Sequence, residues 1–265
     1  MIYFNDLPDY LRSNVDSYAD DTTISCAGDS LDVIESTLAS DCTLVSKWMQ
    51  ANKLKVNPEK THIMTVGTER RIAALPRKLE VRMNGILLEQ SSCEPLLGCK
   101  IQDNLKWTQQ VSTLTLKLVK RLSALAHIQY VCPISVRKAI ADGLFNSVLL
   151  YCLPLFGGIG TGLIRELQVL QSKAARIVCR APIRASRKEL FDRLNWLTVN
   201  QLVTYHTLLA VYKIRMSMEP EYLSGYLCRD SRNHRIMVQN SSLTLACDSF
   251  CFRGSSEWNR LPSTL

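Results

Sequence analysis

The sequence predicts an α+β fold in which antiparallel strands and one long helix are followed by a mainly α-helical region and a short irregular or β tail. Turn residues separate short β-prone runs before residue 107, apolar residues recur at helical spacing afterwards, and the final segment loses both patterns. With 265 residues and 46% apolar content, the chain can bury a substantial core. We therefore divide it into regions 1–106, 107–226 and 227–265.

The first region begins with a predicted hairpin, because residues 15–18 and 22–26 are β-prone and flank the turn Ala19-Asp20-Asp21. Asp29 or Ser30 then caps a helix that ends near Asn52-Lys53. Its core positions recur at helical spacing: Leu31, Ile34, Leu38, Val45, Trp48 and Met49. A turn at 57–60, a strand at 61–66, a loop through Pro76, a hairpin at 79–88 that turns at Asn84-Gly85, and a strand at 95–101 complete the region.

The second region is predicted to be helical from Thr108. The first helix has its core face at Val111, Leu114, Leu118, Leu122 and Leu125. The next, at about 135–151, has Val136, Ile140, Leu144 and Val148 on its predicted core face. A helix at about 163–180, a short helix that ends near Leu194 and a helix at 200–216 follow. From Arg229 onward, polar residues mix with short apolar alternations, which predicts small strands and loops.

Charge divides the chain into an acidic and a basic part. Residues 1–106 hold 12 Lys and Arg against 15 Asp and Glu, a balance of −3, and the remaining 20 and 9 give +11 beyond them. The basic residues of the 163–180 helix share one face: Arg165, Lys173, Arg176 and Arg180. A solvated face would mix acids among these bases, yet only Glu166 is near. Together with Lys117 and Lys120, the stripe predicts a surface for nucleic-acid phosphates, with an ordinary solvated face as the alternative.

No apolar run reaches the roughly 18 residues that a membrane span needs, and residues 1–11 show no secretory signal. We expect a soluble, intracellular protein without membrane partners, in either the nucleus or the cytoplasm. Ten cysteines without a CxxC motif are then expected to be reduced, ordinary thiols. A zinc site is the alternative for four residues, although their spacing differs from common zinc modules: Cys228, His234, Cys247 and Cys251.

Asp20 and Asp21 are adjacent and lie at the predicted hairpin turn. Carboxylates crowded in this way repel each other and attract a divalent cation. Two metal ions held by carboxylates perform polymerase-type phosphoryl transfer, whereas a lone acidic pair is also typical of an ordinary β-turn.

The segment Tyr18-Ala19-Asp20-Asp21 resembles the YADD signature of reverse transcriptases of the non-LTR, LINE-type retrotransposon branch. Further pieces follow in the family's order over nearly the whole chain. They are the segment Phe-Asn-Asp-Leu-Pro at 4–8; Trp48, Asn52 and Leu54; the N-x-x-K-T element at 57–61; Leu97-Gly98 with Asp103, Leu105 and Trp107; Tyr151, Gln171 and 174–176; and Trp-Asn-Arg-Leu-Pro at 258–262. The sequence departs at Leu96, where Phe is usual, and at Gln110, where His is usual.

The resemblance implies the C-terminal part of a polymerase palm in 1–106, a thumb-like helical region in 107–226, and a tail. Asp20 is then the principal ligand and Asp21 a less critical ligand for Mg²⁺ or Mn²⁺. Tyr18 then packs beneath the primer terminus or the incoming nucleotide, with a strand-anchoring aromatic as the alternative. Lys60 approaches the triphosphate, with a solvated turn lysine as the alternative. Leu97 and Gly98 form the primer grip. An RNA template and a DNA primer are the implied partners, and no obligate protein partner is inferred.

The family takes a third catalytic carboxylate from a strand well upstream of YADD. The acids before Tyr18 are Asp6, Asp9 and Asp16, and none has the corresponding strand context. We therefore expect weak metal binding and no polymerase activity from this chain alone. Two other classes of function stay open: a non-catalytic basic nucleic-acid-binding module, and a protein interface formed by the basic helices.

Overall fold

The computed structural model describes residues 6–19, 21–216, 221–227, 235–238 and 244–262. It is a mixture of helices and small sheets, as the predicted α+β class requires. The chain divides into two compact units, residues 1–94 with 102–105, and residues 95–101 with 106–265. The assignment of these regions to a palm and a thumb stays a prediction.

The first unit is built from a hairpin and a long helix. Strands β1 (Asn14–Tyr18) and β2 (Asp21–Ser25) are antiparallel, as predicted. Helix α1 (Leu31–Ala51) begins after Ser30, whose hydroxyl accepts a hydrogen bond from the Val33 N–H at 3.3 Å. Its apolar stripe enters the core of this unit, which is centred on Leu7, Val45, Trp48, Ile63, Leu79, Val81, Met83 and Leu88.

Short elements complete the first unit. Strand β3 (His62–Ile63) pairs with β6 (Glu89–Gln90) in parallel, and β4 (Arg82–Met83) pairs with β5 (Ile86–Leu87) across the predicted turn at Asn84-Gly85. The region predicted as a loop contains helix α2 (Glu69–Ala73), because the Thr68 hydroxyl caps it by accepting from Arg71 N–H. The single strand predicted at 95–101 is wrong. Two strands, β7 (Cys93–Leu96) and β8 (Cys99–Gln102), pair there instead, because Leu97 and Gly98 both have left-handed φ angles and reverse the chain.

An acid-sensitive ion cluster connects α1 to residues 77–80. The Arg77 guanidinium binds the Glu35 carboxylate through both nitrogens and Asp32 Oδ1 at 2.6 Å, and the Glu80 N–H donates to Glu35 at 2.6 Å. These hydrogen bonds lower the pKa of Glu35 to about 2.

Stability should therefore depend on pH through Glu35. Its pKa is lower in the folded than in the unfolded chain, so its stabilisation is complete above about pH 4.5 and is lost as the pH falls through about 2. We expect Glu35→Gln to unfold more easily than the wild type at pH 6, and the difference to disappear near pH 2. Urea unfolding across this range measures it; a constant difference would contradict the assignment.

The second unit is a helical array around one large apolar cluster, with a smaller cluster at Val211, Ile214, Leu227 and Ile236. Its helices are α3 (Thr108–Ile128), α4 (Ile134–Ala141), α5 (Ser147–Leu150), α6 (Leu153–Phe156), α7 (Thr161–Cys179), α8 (Arg187–Leu194) and α9 (Val199–Arg215). The predicted core face of α3 is confirmed, since all five of its leucine and valine positions are buried. Helices α3 and α7 pack against each other along their lengths.

The core face predicted for the 135–151 helix is partly wrong: Ile140 and Val148 are half-buried and pack against the core, but the fully buried positions lie one residue later. Val136 and Leu144 are exposed, whereas Arg137, Ala141, Phe145 and Leu149 are buried. A π-helical turn, Asp142–Asn146, separates α4 from α5. The buried stripe contains an arginine, so hydrophobic periodicity favoured the more apolar neighbouring stripe.

The tail was predicted to form small strands and loops, but residues 244–247 and 250–259 are helical, while residues 235–238 are irregular apart from a single bridge residue, Ile236. Helices α10 (Thr244–Cys247) and α11 (Phe250–Asn259) follow a short 3₁₀ helix, Glu221–Tyr226. Helix α11 packs so closely on α9 that a methyl group on Gly254 would lie 2.8 Å from Val211 Cγ2. No described helix is both long enough and apolar enough to cross a bilayer.

Candidate functional site

The acidic hairpin presents its tip to solvent. The strand register places Tyr18 opposite Asp21. Opposed residues of an antiparallel pair point to one face, so this ring and carboxylate share a face at the turn end of the hairpin. Both are exposed, Tyr18 by 67%. Asp20, the principal predicted metal ligand, lies outside the described residues.

A buried carboxylate holds the entry to this hairpin. Asp41 of α1 is fully buried, and its two oxygens accept hydrogen bonds from the Arg12 and Ser13 N–H groups at 3.1 Å each. These amides immediately precede β1. Sequence reasoning missed Asp41, although an acid three residues after Leu38 and four before Val45 falls on the apolar stripe of α1. Asp41 therefore positions the strand that leads to Tyr18.

Lys60 lies on a separate turn. Asn57 organises the 3₁₀ helix Pro58–Lys60 by accepting from the Lys60 N–H at 3.1 Å through its carbonyl and from the Glu59 N–H at 3.1 Å through its side chain. The lysine side chain is exposed. Among the described residues, no hydrogen bond or ion pair connects Lys60 to Tyr18 or Asp21. Its predicted role at the triphosphate stays a prediction.

The predicted primer-grip residues form the turn of the β7–β8 hairpin. Leu97 has φ 47° and Gly98 has φ 79°, and the leucine side chain is 44% exposed. Tyr151, a residue of the sequence resemblance without an assigned role, donates its hydroxyl to the Leu97 carbonyl at 2.5 Å. A methyl group on Gly98 would touch the Tyr151 ring at 3.5 Å. The tyrosine thus lies across the turn and supports it.

Gln110 anchors the strand after this turn. It is a position at which the sequence departs from the resemblance, is buried, and accepts a hydrogen bond from the Lys100 N–H at 2.8 Å through Oε1. Its Nε2 faces Cys99 Sγ at 3.8 Å. A neutral amide therefore provides both a donor and an acceptor here, and Gln110 supports the hairpin instead of contacting solvent.

The predicted basic surface lies on the outer faces of α3 and α7. Lys117, Lys120, Arg165 and Lys173 are exposed, and α3 and α7 turn their apolar stripes inward. Arg176 differs, because it is half-buried and its Nε has no hydrogen-bond partner among the described atoms. No described carboxylate lies within ion-pair distance of any of the six predicted phosphate-binding cations.

Arg180 ends α7 in a left-handed conformation, with φ 52°. Its Nε donates to the Gln129 carbonyl at 2.6 Å, and its guanidinium carbon lies 5.6 Å from the centre of the Tyr130 ring. Arg180 therefore joins the C-terminal ends of α3 and α7 while remaining exposed.

A second arginine near the C-terminal ends of α3 and α7, Arg137, was not among the predicted site residues. Arg137 is 5% exposed and donates from Nε to the Val178 carbonyl at 2.7 Å, and from Nη1 to the Gln129 carbonyl at 3.2 Å and to the Cys132 carbonyl. Its hydrogen bonds thus satisfy carbonyl groups at the C-terminal ends of both α3 and α7, where a positive charge is also favoured. Only its placement four residues before Ala141 and eight before Phe145, along a helical stripe, could have indicated burial.

Other residues of the resemblance have structural contacts. Gln171 is buried and donates to the Leu197 carbonyl at 2.9 Å. Asn259 pairs with both backbone groups of Ile236, at 2.9 Å and 2.8 Å, and Arg215 lies over the Trp258 ring at 4.7 Å. Motif residues in the tail therefore join α9, α11 and the segment around Ile236.

The described residues do not fit a complete metal site. Among them, no three His, Cys, Asp or Glu side chains come together as one metal ion would require. Asp21 is the described carboxylate of the predicted Mg²⁺ pair, and Asp20 lies outside the described residues. Of the alternative zinc set, Cys228 and His234 lie outside the described residues. No reaction step is assigned to either group.

The described cysteines are free thiols. Burial raises the pKa of Cys42, and the neighbouring Asp41 carboxylate raises it further. Burial and the adjacent Cys152 raise the pKa of Cys99 to about 12. Both thiols are protonated at neutral pH, which is unsuited to nucleophilic chemistry.

The chain is similar to a curated protein of Drosophila melanogaster described as "Probable RNA-directed DNA polymerase from transposon BS", with 23% identity over 194 residues. The match covers 72% of this chain and 21% of that protein, so the chain spans about a fifth of the relative's length. No family model matches the sequence, and no solved structure matches it. This distant similarity supports a retrotransposon, reverse-transcriptase-like protein.

Proposed function

We propose that this chain is part of a retrotransposon RNA-directed DNA polymerase, and that on its own it binds nucleic acid without polymerising it. The observation that carries the binding proposal is the set of six cations on α3 and α7 that no described carboxylate neutralises. The distant similarity to a transposon polymerase supports the choice of nucleic acid as the ligand.

Electrostatics favours a phosphate backbone over a protein partner for this surface. Lysine and arginine side chains without carboxylate partners attract a polyanion, and each neutralised phosphate releases condensed counterions. The net charge of +11 beyond residue 106 adds a long-range attraction. Contacts of this kind bind without reading base sequence. The proposed ligand is therefore a primer–template duplex of RNA and DNA, held with little sequence preference.

The LINE-type assignment extends the proposal to the first unit. There, Tyr18 would contact the primer terminus or the incoming nucleotide, Lys60 the triphosphate, and the Leu97-Gly98 turn the primer strand. Asp20 and Asp21 would bind Mg²⁺ or Mn²⁺ weakly.

A non-catalytic nucleic-acid-binding module is the second candidate. The same unpaired cations favour it, since they need no metal site to act. It differs from the first candidate in evolutionary origin and not in what the isolated chain does. Restoring the preceding part of the polymerase in trans would separate them, because only a polymerase fragment would then yield templated synthesis that depends on Asp20.

One experiment tests the proposal in two arms. The first is primer extension on an RNA template with Mg²⁺ and all four nucleotides, with Asp20→Asn as the control. We expect no product from the chain alone. Extension that Asp20→Asn abolishes would overturn the claim of inactivity.

The second arm is a salt titration of binding to a fluorescent RNA–DNA duplex. If four of the six cations each contact one phosphate, the affinity for the duplex should fall by roughly a hundredfold between 50 and 200 mM salt. Arg165→Ala with Lys173→Ala should reduce the slope of log K against log salt by about 2. The matched control is Lys138→Ala with Arg260→Ala, since both cations are already paired, with Asp142 and Glu257 at 2.7 Å and 2.8 Å. A flat salt response, or equal slopes for the two variants, would favour a protein interface.

A further inference from the structure

Two loops of the second unit present exposed side chains beside each other. We name residues 129–133, between α3 and α4, and residues 180–186, between α7 and α8, the loop platform. Its large apolar side chains are among the most exposed of the described residues, with Tyr130 at 78%, Val131 at 82% and Ile183 at 84%. The Arg180 guanidinium lies 5.6 Å from the centre of the Tyr130 ring, which nevertheless remains open to solvent.

The loop platform is held from beneath. The buried Arg137 binds the carbonyls of Gln129 and Cys132 on one loop and of Val178 just before the other. Arg180 adds a second donor to the Gln129 carbonyl at 2.6 Å. The Tyr130 ring is therefore displayed on a backbone whose carbonyls are fixed on both sides, and its exposure does not reflect a lack of supporting contacts.

The two loops and the residues that flank them are rich in cations. The stretches 129–137 and 176–188 contain no Asp or Glu, and they hold six cations: Arg137, Arg176, Arg180, Arg184, Arg187 and Lys188. The last three are exposed, like Arg180. An apolar partner protein would gain nothing from so many cations, whereas a polyanion that also carries flat aromatic groups matches both features.

We propose that the loop platform binds an unpaired nucleotide of a nucleic-acid strand, with its base stacked on Tyr130 and its phosphates on Arg180 and Arg184. This site rests on the proposed nucleic-acid-binding function and adds to it a preference for single-stranded segments. Stacking on a tyrosine face is tolerant of base identity, because every base has a π surface. A base within a duplex has both faces covered by its neighbours and cannot stack on the ring.

The test measures, by fluorescence anisotropy, the affinity of the full chain for two oligonucleotides. One is a ten-nucleotide adenylate RNA, and the other is an abasic strand of equal length. The wild type should bind the RNA more tightly. Tyr130→Ala should weaken RNA binding roughly tenfold and leave abasic binding unchanged, with the salt slope preserved because no charge is removed. Tyr130→Phe keeps the ring and should bind as the wild type does.

Tyr205→Ala is the matched control, since this tyrosine of α9 is 53% exposed and is not part of the loop platform. It should leave binding of both strands unchanged. Equal binding of the RNA by wild type and Tyr130→Ala would overturn the site while leaving the proposed function intact. A wild type that binds neither the strands nor the duplex would overturn both. Circular dichroism of each variant confirms that it is folded.

Discussion

Replacing Arg137 with leucine should lower the free energy of unfolding by about 3 kcal/mol. The side chain is buried and donates to three carbonyl groups, those of Gln129 and Cys132 in the loop after α3 and that of Val178 in the last turn of α7. Leucine fills part of the volume and removes the burial of a charge, which returns some stability. The carbonyls nevertheless lose a charged donor where water has little access, and that loss dominates. Urea unfolding followed by circular dichroism measures the difference.

Arg121→Leu is the control for this experiment. Arg121 lies on the exposed face of α3, so the same chemical change there should alter stability by no more than about 0.5 kcal/mol. Arg137→Lys should fall between the two, because an ammonium group keeps the charge but loses the planar guanidinium that reaches three acceptors. If Arg137→Leu unfolds like Arg121→Leu, the buried arginine does not hold the helix ends.

Asp41→Ala should destabilise the first unit by a comparable amount, about 3 kcal/mol. The substitution leaves the N–H groups of Arg12 and Ser13 without the carboxylate that accepts both at 3.1 Å. It also leaves a small cavity beside α1. Because those amides lead directly into β1, the acidic hairpin should lose protection before the rest of the unit does. Hydrogen exchange at the Thr23 amide, which lies in a hydrogen-bonded pair with Asp16, together with urea unfolding, reports both effects.

Two further variants serve as controls for Asp41→Ala. Asp41→Asn keeps one acceptor oxygen and should show about half the loss, while Asp16→Ala removes an exposed acid from β1 itself and should change little. Full protection of the hairpin amides in Asp41→Ala would mean that β1 is held by its strand pairing with β2 alone.

The sequence predicted most of the helices because their apolar positions recur with one period. The stripe of α3 is a clear case, from Val111 to Leu125. The errors occurred where a polar residue is buried or a pattern is short. The stripe of the α4–α5 segment contains Arg137, which no hydrophobic pattern includes. The β7–β8 turn uses left-handed φ angles at Leu97, a residue type that rarely adopts them.

The candidate site was predictable only as a set of residue types. Motif order located Tyr18, Lys60 and the Leu97-Gly98 turn, but not the side chains that position them. Asp41 and Tyr151 act on backbone groups far away in sequence, at Arg12, Ser13 and Leu97. Such long-range hydrogen bonds leave no local signature. The tail was predicted as small strands and loops because its alternation is short, whereas residues 250–259 form a helix whose Gly254 packs closely against Val211.

The π-helical turn between α4 and α5 has a consequence for insertions and deletions in the gene. A π turn holds one residue more than an α turn, so Asp142–Asn146 can lose a residue and close into regular α-helix. Gly143 is exposed, and nothing lies within 4 Å of where its side chain would be. Loss of that codon would leave the buried faces of α4 and α5 where they are. Loss of a codon from the uninterrupted α3 would rotate every later side chain of that helix by about 100°.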